Sequence, residues 1–212
     1  MSVAIILFFV AIAIGVSIYR ERKAVPATES IRAKLSSALQ GFFVHPGHSW
    51  VKVTEPSLVA VGADEFTKSV FGSVERITLP EVGSMIQQGG KAWGLKRGKR
   101  QLIQTAPISG RVVEVNQALC ENPEILKEKS PDRNWILKVQ PIGLSRQLRN
   151  LIGGGTLSRW NQAVKEQLAS ILGTAEFAVL QDGGELVSDL GDHLTEEQWN
   201  KVTREFFATN RN

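Results

Sequence analysis

Lys99 lies in the run Leu-Lys-Arg-Gly-Lys-Arg-Gln-Leu-Ile over residues 95–103, a charged stretch with one glycine between apolar flanks. Gly98 supplies the backbone freedom of a tight turn, so strands over residues 93–95 and 101–105 are predicted to form a hairpin with Lys99 at its tip. A lysine amine held out on such a tip can be acylated by a prosthetic arm that swings between partner enzymes. Left unmodified, it is a solvated charge on an interaction surface.

The rest of the chain offers little reactive chemistry. His45 and His48 stand three apart, His193 and Cys120 stand alone, and a zinc site needs three or four converging ligands. Glu75, Glu81 and Glu114 are scattered over predicted strands and turns, and no Ser/His/Asp or Cys/His motif surrounds a nucleophile. No catalytic residue and no metal site is therefore predicted. The glycines at 153–155 lack the Gly-Lys-Ser/Thr ending of a phosphate loop and read as a flexible joint. A single cysteine excludes an internal disulfide framework and suits a reducing compartment.

With 212 residues, 42% of them hydrophobic, the chain can bury one generous core with appendages. Its net charge of +4 is unevenly spread. Residues 1–173 carry 22 basic and 13 acidic side chains, and residues 174–212 carry 3 and 8. The acidic tail can cover the basic tip within one molecule. Otherwise that tip suits an anionic lipid surface or an acidic protein. Nucleic acid is not expected, because only Trp93 interleaves an aromatic ring with the cations.

Residues 3–18 are almost wholly apolar, and Tyr19, Arg20, Arg22 and Lys23 follow. With its flanks the run reaches the lower limit of about 17–25 residues for a membrane-spanning helix. A cleavable signal would carry its charges before the apolar run and end in small residues. The predicted anchor therefore spans the membrane through residues 3–19. The positive-inside rule then puts the N-terminus outside and the main domain in the cytoplasm, single-pass on the cell (inner) membrane.

After a short linker, Ile31, Leu35, Leu39 and Phe42 mark an amphipathic helix over residues 30–43, expected to pack on the domain. From residue 49 to about 141 short strands alternate with turns: 50–54, 58–62, 74–79, the hairpin, 111–116 and 135–139. A short helix over 64–71 is opened by Asp64 and closed by Gly72, and another follows Asn122-Pro123. The tail then switches to amphipathic helices over 144–152 and 157–172. A hairpin around Asp182-Gly-Gly184 comes next, then a helix behind the capping box that starts at Thr195. Many short strands with regular turns indicate a small sandwich or barrel.

Residues 48–141 resemble the glycine cleavage H protein family. The His-Ser-Trp-Val stretch from His48 looks like that family's His-Glu-Trp opening, and Val61-Gly62, the 64–71 helix and Leu79-Pro-Glu-Val-Gly83 look like its middle section. Pro107-Ile-Ser-Gly110, the strand through Asn116, Asn122-Pro-Glu and Trp135-Ile-Leu-Lys-Val look like its second half. The resemblance implies a mainly β fold, the lipoyl/biotinyl-type flattened barrel (barrel-sandwich hybrid). To it this chain would add an N-terminal transmembrane helix and a small α+β C-terminal appendage. The divisions are then 1–23 anchor, 24–47 linker and amphipathic helix, 48–141 lipoyl-type domain and 142–212 α+β tail.

In that family a lysine within Glu-Ser-Val-Lys-Ala carries lipoate at a hairpin tip, and counting back from Pro107 without gaps puts Lys99 on it. The resemblance thus implies a carrier and no enzyme: lipoate on Lys99, shuttling an aminomethyl or acyl group between carrier-dependent partner enzymes at a membrane. The surroundings differ. Lys96 replaces the glutamate, Arg97 and Gly98 the serine and valine, and Arg100 the alanine. Lys91, Lys96, Arg97, Lys99 and Arg100 are expected to crowd one end of the domain. Exchanging an acid for a base reverses the potential that a modifying enzyme reads. A non-lipoylated interaction or scaffold module of a membrane-associated complex, with the same fold, therefore stands as the alternative.

Overall fold

The computed structural model describes residues 41–173, 181–182 and 185–207. The anchor over residues 1–23, most of the 30–43 helix and the strand expected at 175–180 lie outside them. Among the described residues no helix is long and apolar enough to cross a membrane.

Alternation of apolar and polar side chains builds the strands. Three of them, β1 (Phe42–His45), β2 (Ser49–Glu55) and β3 (Leu58–Ala63), form an antiparallel meander that buries Val51, Val53, Val59 and Val61 on one face and Val44, Trp50 and Ala60 on the other, the latter against Trp135, Leu157 and Trp160. Gly62 is required where β3 crosses the Trp50 ring, because a Cβ there would stand 2.6 Å from Cζ2. Helix α1 (Glu65–Phe71) follows, and Asp64 caps it by accepting the Thr67 N–H at 2.8 Å. The chain then makes β4 (Arg76–Thr78), β5 (Met85–Ile86), β6 (Lys91–Arg97), β7 (Arg100–Thr105) and β8 (Gly110–Val115).

A short helix α2 (Ala118–Glu121) and a 3-10 turn (Pro123–Lys127) lead to β9 (Leu137–Pro141), α3 (Leu144–Leu148), β10 (Ile152–Gly153) and α4 (Thr156–Leu172). The strands form a seven-stranded sheet in the order β10-β1-β2-β3-β9-β8-β5 and a three-stranded sheet in the order β4-β6-β7. Val51, Val59, Val61, Leu95, Ile108, Val112, Ile136 and Leu137 are wholly buried, giving the mainly β, lipoyl-type flattened barrel that the resemblance implied. The remaining tail is the hairpin β11 (Gln181–Asp182) and β12 (Glu185–Leu186), a 3-10 turn (Leu190–His193) and α5 (Glu196–Phe207). Its capping box forms as predicted: Thr195 N–H donates to the Gln198 side chain, and Gln198 N–H donates to the Thr195 hydroxyl.

Several local expectations are corrected. Phe42 and Phe43 are strand residues, drawn from a helical pattern into register with Lys52 and Val51. The 144–152 helix stops at Leu148, and Gly153 pairs with Phe43 in β10. That glycine is no loose joint: a Cβ on it would lie 2.7 Å from the Phe43 ring, so close approach demands it. The last barrel strand begins at Leu137 rather than 135, since the Ile136 N–H is already engaged by the Val61 carbonyl outside the ladder.

Candidate functional site

The β6–β7 register pairs Arg97 with Arg100 and leaves Gly98-Lys99 as a two-residue turn. Gly98 takes φ +54° and Lys99 keeps a negative φ, as a type II′ hairpin turn requires. Leu95 and Leu102 anchor the hairpin in the core, so the turn projects from a rigid base. Lys99 is exposed, and no described residue pairs with its amine. The lysine predicted to sit at a hairpin tip does so.

Glu75, one of several acids scattered through the sequence, reaches the hairpin tip. Its carboxylate accepts the Gly98 N–H at 2.9 Å, and its own N–H donates to the Lys96 carbonyl at 3.0 Å. An acidic group thus stands at the tip although Lys96 occupies the local acidic position. Only the β4–β6 pairing brings residue 75 there, and no periodicity in the sequence announces it.

The cations divide into three groups. Lys91 pairs with Thr105 at the far end of the hairpin, about 20 Å from the tip at about 3.3 Å per residue, so the expected crowd of five is smaller. Arg97 and Arg100 turn towards the tail. Arg97 lies 2.7 Å from the Asp192 carboxylate, and Arg100 donates to the carbonyls of Gly191 and Leu194, the latter at 3.1 Å. The Arg100 guanidinium also lies 4.7 Å from the Trp199 ring centre and 3.8 Å from Glu196. The acidic tail covers that side of the basic tip within one molecule, one of the arrangements its charge suggested. Lys96 remains exposed on the opposite side.

The tail is held further by an aromatic cluster around His48. The His48 ring, 1% exposed, stacks on Phe66 at 4.1 Å and meets Trp160, Phe206 and Phe207 within 5.8 Å. Its Nδ1 lies 2.8 Å from the Asp64 carboxylate, while its carbonyl accepts from Thr67 Oγ1 and Gln104 Nε2, each at 2.8 Å. His48 is a structural hub, and its φ of +61° is sustained by these contacts. Burial, assisted by His48 nearby, lowers the His45 pKa to about 4, and its Nδ1 accepts the Gly47 N–H at 2.9 Å. Cys120 is exposed in α2, and Glu114 forms a surface pair with Lys138. Among the described residues no three His, Cys, Asp or Glu side chains converge on a point.

Comparison with known proteins places this geometry. The profile of the glycine cleavage H-protein family matches residues 43–167. A probable glycine cleavage system H protein from Thermococcus gammatolerans is 31% identical over 125 residues, covering 59% of this chain and 92% of the relative. A glycine cleavage system H protein from Geobacillus sp. is 35% identical over 119 residues, covering 56% and 90%. The crystal structure of a glycine cleavage system H protein from Mycobacterium marinum superposes with a TM-score of 0.51 at 23% identity, covering 58% of this chain and 98% of that one, a likeness of fold. On the profile match and the near-complete span of these relatives, the chain belongs to the glycine cleavage H-protein family.

Proposed function

We propose that this protein is a membrane-tethered carrier of the H-protein kind, with lipoate joined by an amide bond to the Lys99 amine. The observation that carries the reading is the exposed Lys99 at the second position of a two-residue turn, on a hairpin rooted in an H-protein barrel. The residues fit the group: an exposed amine on a projecting turn, without a hydrogen-bond or ion-pair partner among the described residues. When bound, lipoate supplies a dithiolane that carries a group from one enzyme's active site to the next. The chain itself contributes the rigid hairpin, the Glu75 anchor of the turn and the orientation of the lysine. Carrier-dependent enzymes are the partners, and the catalysis is theirs.

The apolar run over residues 3–19 supports a single-pass anchor in the cell (inner) membrane, with the barrel on the cytoplasmic side. A second reading, the non-lipoylated docking module of a membrane complex, is favoured by Lys96 beside the turn and by the tail's clasp on Arg97 and Arg100.

Intact mass of the chain purified from its native host tests the choice. The carrier reading expects an addition of about 188 Da that Lys99→Arg abolishes. An unmodified mass in lipoate-replete cells refutes it and leaves the docking module. Membrane fractionation checks the tether: deletion of residues 1–23 is expected to release the chain.

A further inference from the structure

We infer that the outer face of the three-stranded sheet is a docking face for an acidic protein surface on the enzymes that Lys99 serves. This rests on the reading of Lys99 as the carrier lysine. The alternation along β4, β6 and β7 sends Ile77, Leu95 and Leu102 into the core. The opposite side chains form an exposed face, and the register sets them in rows. Arg76 lies beside Lys96, which lies beside Gln101, and the next outward row is Thr78, Gly94 and Ile103.

Arg76 and Lys96 therefore share one side of the hairpin, with the exposed Lys99 at the turn that ends it, and among the described residues no carboxylate lies within ion-pair distance of any of the three. Glu75 is the nearby acid, and it is committed to the Gly98 N–H. The contrast with the other side is sharp, because there the tail neutralises Arg97 and Arg100. Gly94 leaves the second row flat: a Cβ on it would touch Ile103 and Thr78 at 3.4 and 3.5 Å. A flat patch beside a cationic row at the carrier lysine suits a protein surface.

Neighbouring strands stand about 4.8 Å apart, so Arg76 and Lys96 present charges at nearly the spacing of side chains four apart on a helix. The complementary partner is a helix carrying glutamate or aspartate at i and i+4. A lipid surface fits less well. Only Ile103, 36% exposed, offers an apolar side chain to insert, and lipid headgroups on this face would hide Lys99 from any active site.

The test measures binding of the full chain, in phosphatidylcholine nanodiscs, to an alanine-based helical peptide with glutamates four residues apart. Wild type is expected to bind, with affinity falling as salt rises. Arg76→Glu and Lys96→Glu are each expected to weaken binding about tenfold, and Lys91→Glu, at the far end of the same hairpin, less than about twofold. Arg76→Gln and Lys96→Gln, both conservative at exposed sites, should give smaller losses. Absence of wild-type binding, or an equal loss in Lys91→Glu, overturns the proposal. So does loss of binding when a third of the lipid is replaced by phosphatidylglycerol, which would make lipid the occupant. The Lys99 mass is read on the same sample. Face-dependent binding on an unmodified lysine refutes the lipoate reading alone, and a modified lysine without face dependence refutes the docking face alone.

Discussion

Arg97 and Asp192 lie 95 residues apart in sequence and side by side in space, with Nη2 donating to Oδ2 at 2.8 Å and Nη1 2.7 Å from Oδ1. The pair joins the β6–β7 hairpin to the tail through one charge-assisted hydrogen bond from Nη2, with Nη1 in ion-pair contact but making no hydrogen bond of its own. Both side chains are partly exposed, at 30% and 41%, so solvent limits its strength. Asp192→Asn is expected to destabilise the fold by about 0.5–1 kcal/mol in low salt, with the difference shrinking as salt is added. A double-mutant cycle with Arg97→Gln, read by chemical denaturation, isolates the pair; a coupling of zero would show that the clasp adds nothing.

At Gly191 the tail lies directly against the barrel's helix α1. A Cβ at that position would lie 2.1 Å from the Val70 carbonyl oxygen, and backbone cannot rotate out of the way. Gly191→Ala should therefore push the 190–194 turn off α1 and cost about 1–3 kcal/mol. Arg100, whose guanidinium donates to the Gly191 carbonyl, should loosen with it. Hydrogen exchange of residues 190–207 measures the effect. Gly155→Ala is the control, since nothing lies within 4 Å of the added carbon, and it should leave exchange unchanged.

Asp64 performs two tasks with two oxygens: Oδ1 accepts the Thr67 N–H and Oδ2 meets His48 Nδ1, both at 2.8 Å. Asp64→Ala removes the cap and leaves a buried imidazole nitrogen without its partner, a combined loss of about 2–4 kcal/mol. Asp64→Asn keeps an oxygen for the cap and an amide beside His48, and should cost less than half as much. Thermal unfolding of the two variants ranks them, and equal losses would mean that the carboxylate charge, rather than its shape, holds His48.

How much of this was legible depends on whether the cause was local. The turn at Gly98-Lys99 and the capping box at Thr195 announce themselves by residue type, and the structure places both where expected. The acidic composition of the tail hinted at the clasp but did not identify Asp192. Glu75 at the tip and the Arg76–Lys96 row depend on β4 pairing with β6, which three strand residues with one buried side chain do not encode visibly. The strand at Phe42–His45 was hidden by a helical spacing that tertiary pairing overrode. The role of Gly153 is not visible in its neighbours, because the need for a missing Cβ arises from Phe43, which lies far away in sequence.

His45 gives the fold a pH dependence whose sign follows from its environment. Burial, then the proximity of His48, lowers its pKa from 6.5 to about 4, so the folded state holds it neutral while the unfolded chain takes up a proton more readily. Above pH 6.5 neither state binds the proton, and this group has no effect. Between 6.5 and 4 the unfolded state binds more protons, so stability falls as pH falls. Below about 4 both states are protonated and the loss levels off, at up to about 3 kcal/mol. His45→Asn puts Oδ1 where Nδ1 accepts the Gly47 N–H and removes the titration. Urea midpoints at pH 7 and pH 5 should converge in the variant relative to wild type. An unchanged slope would assign the acid sensitivity to other groups.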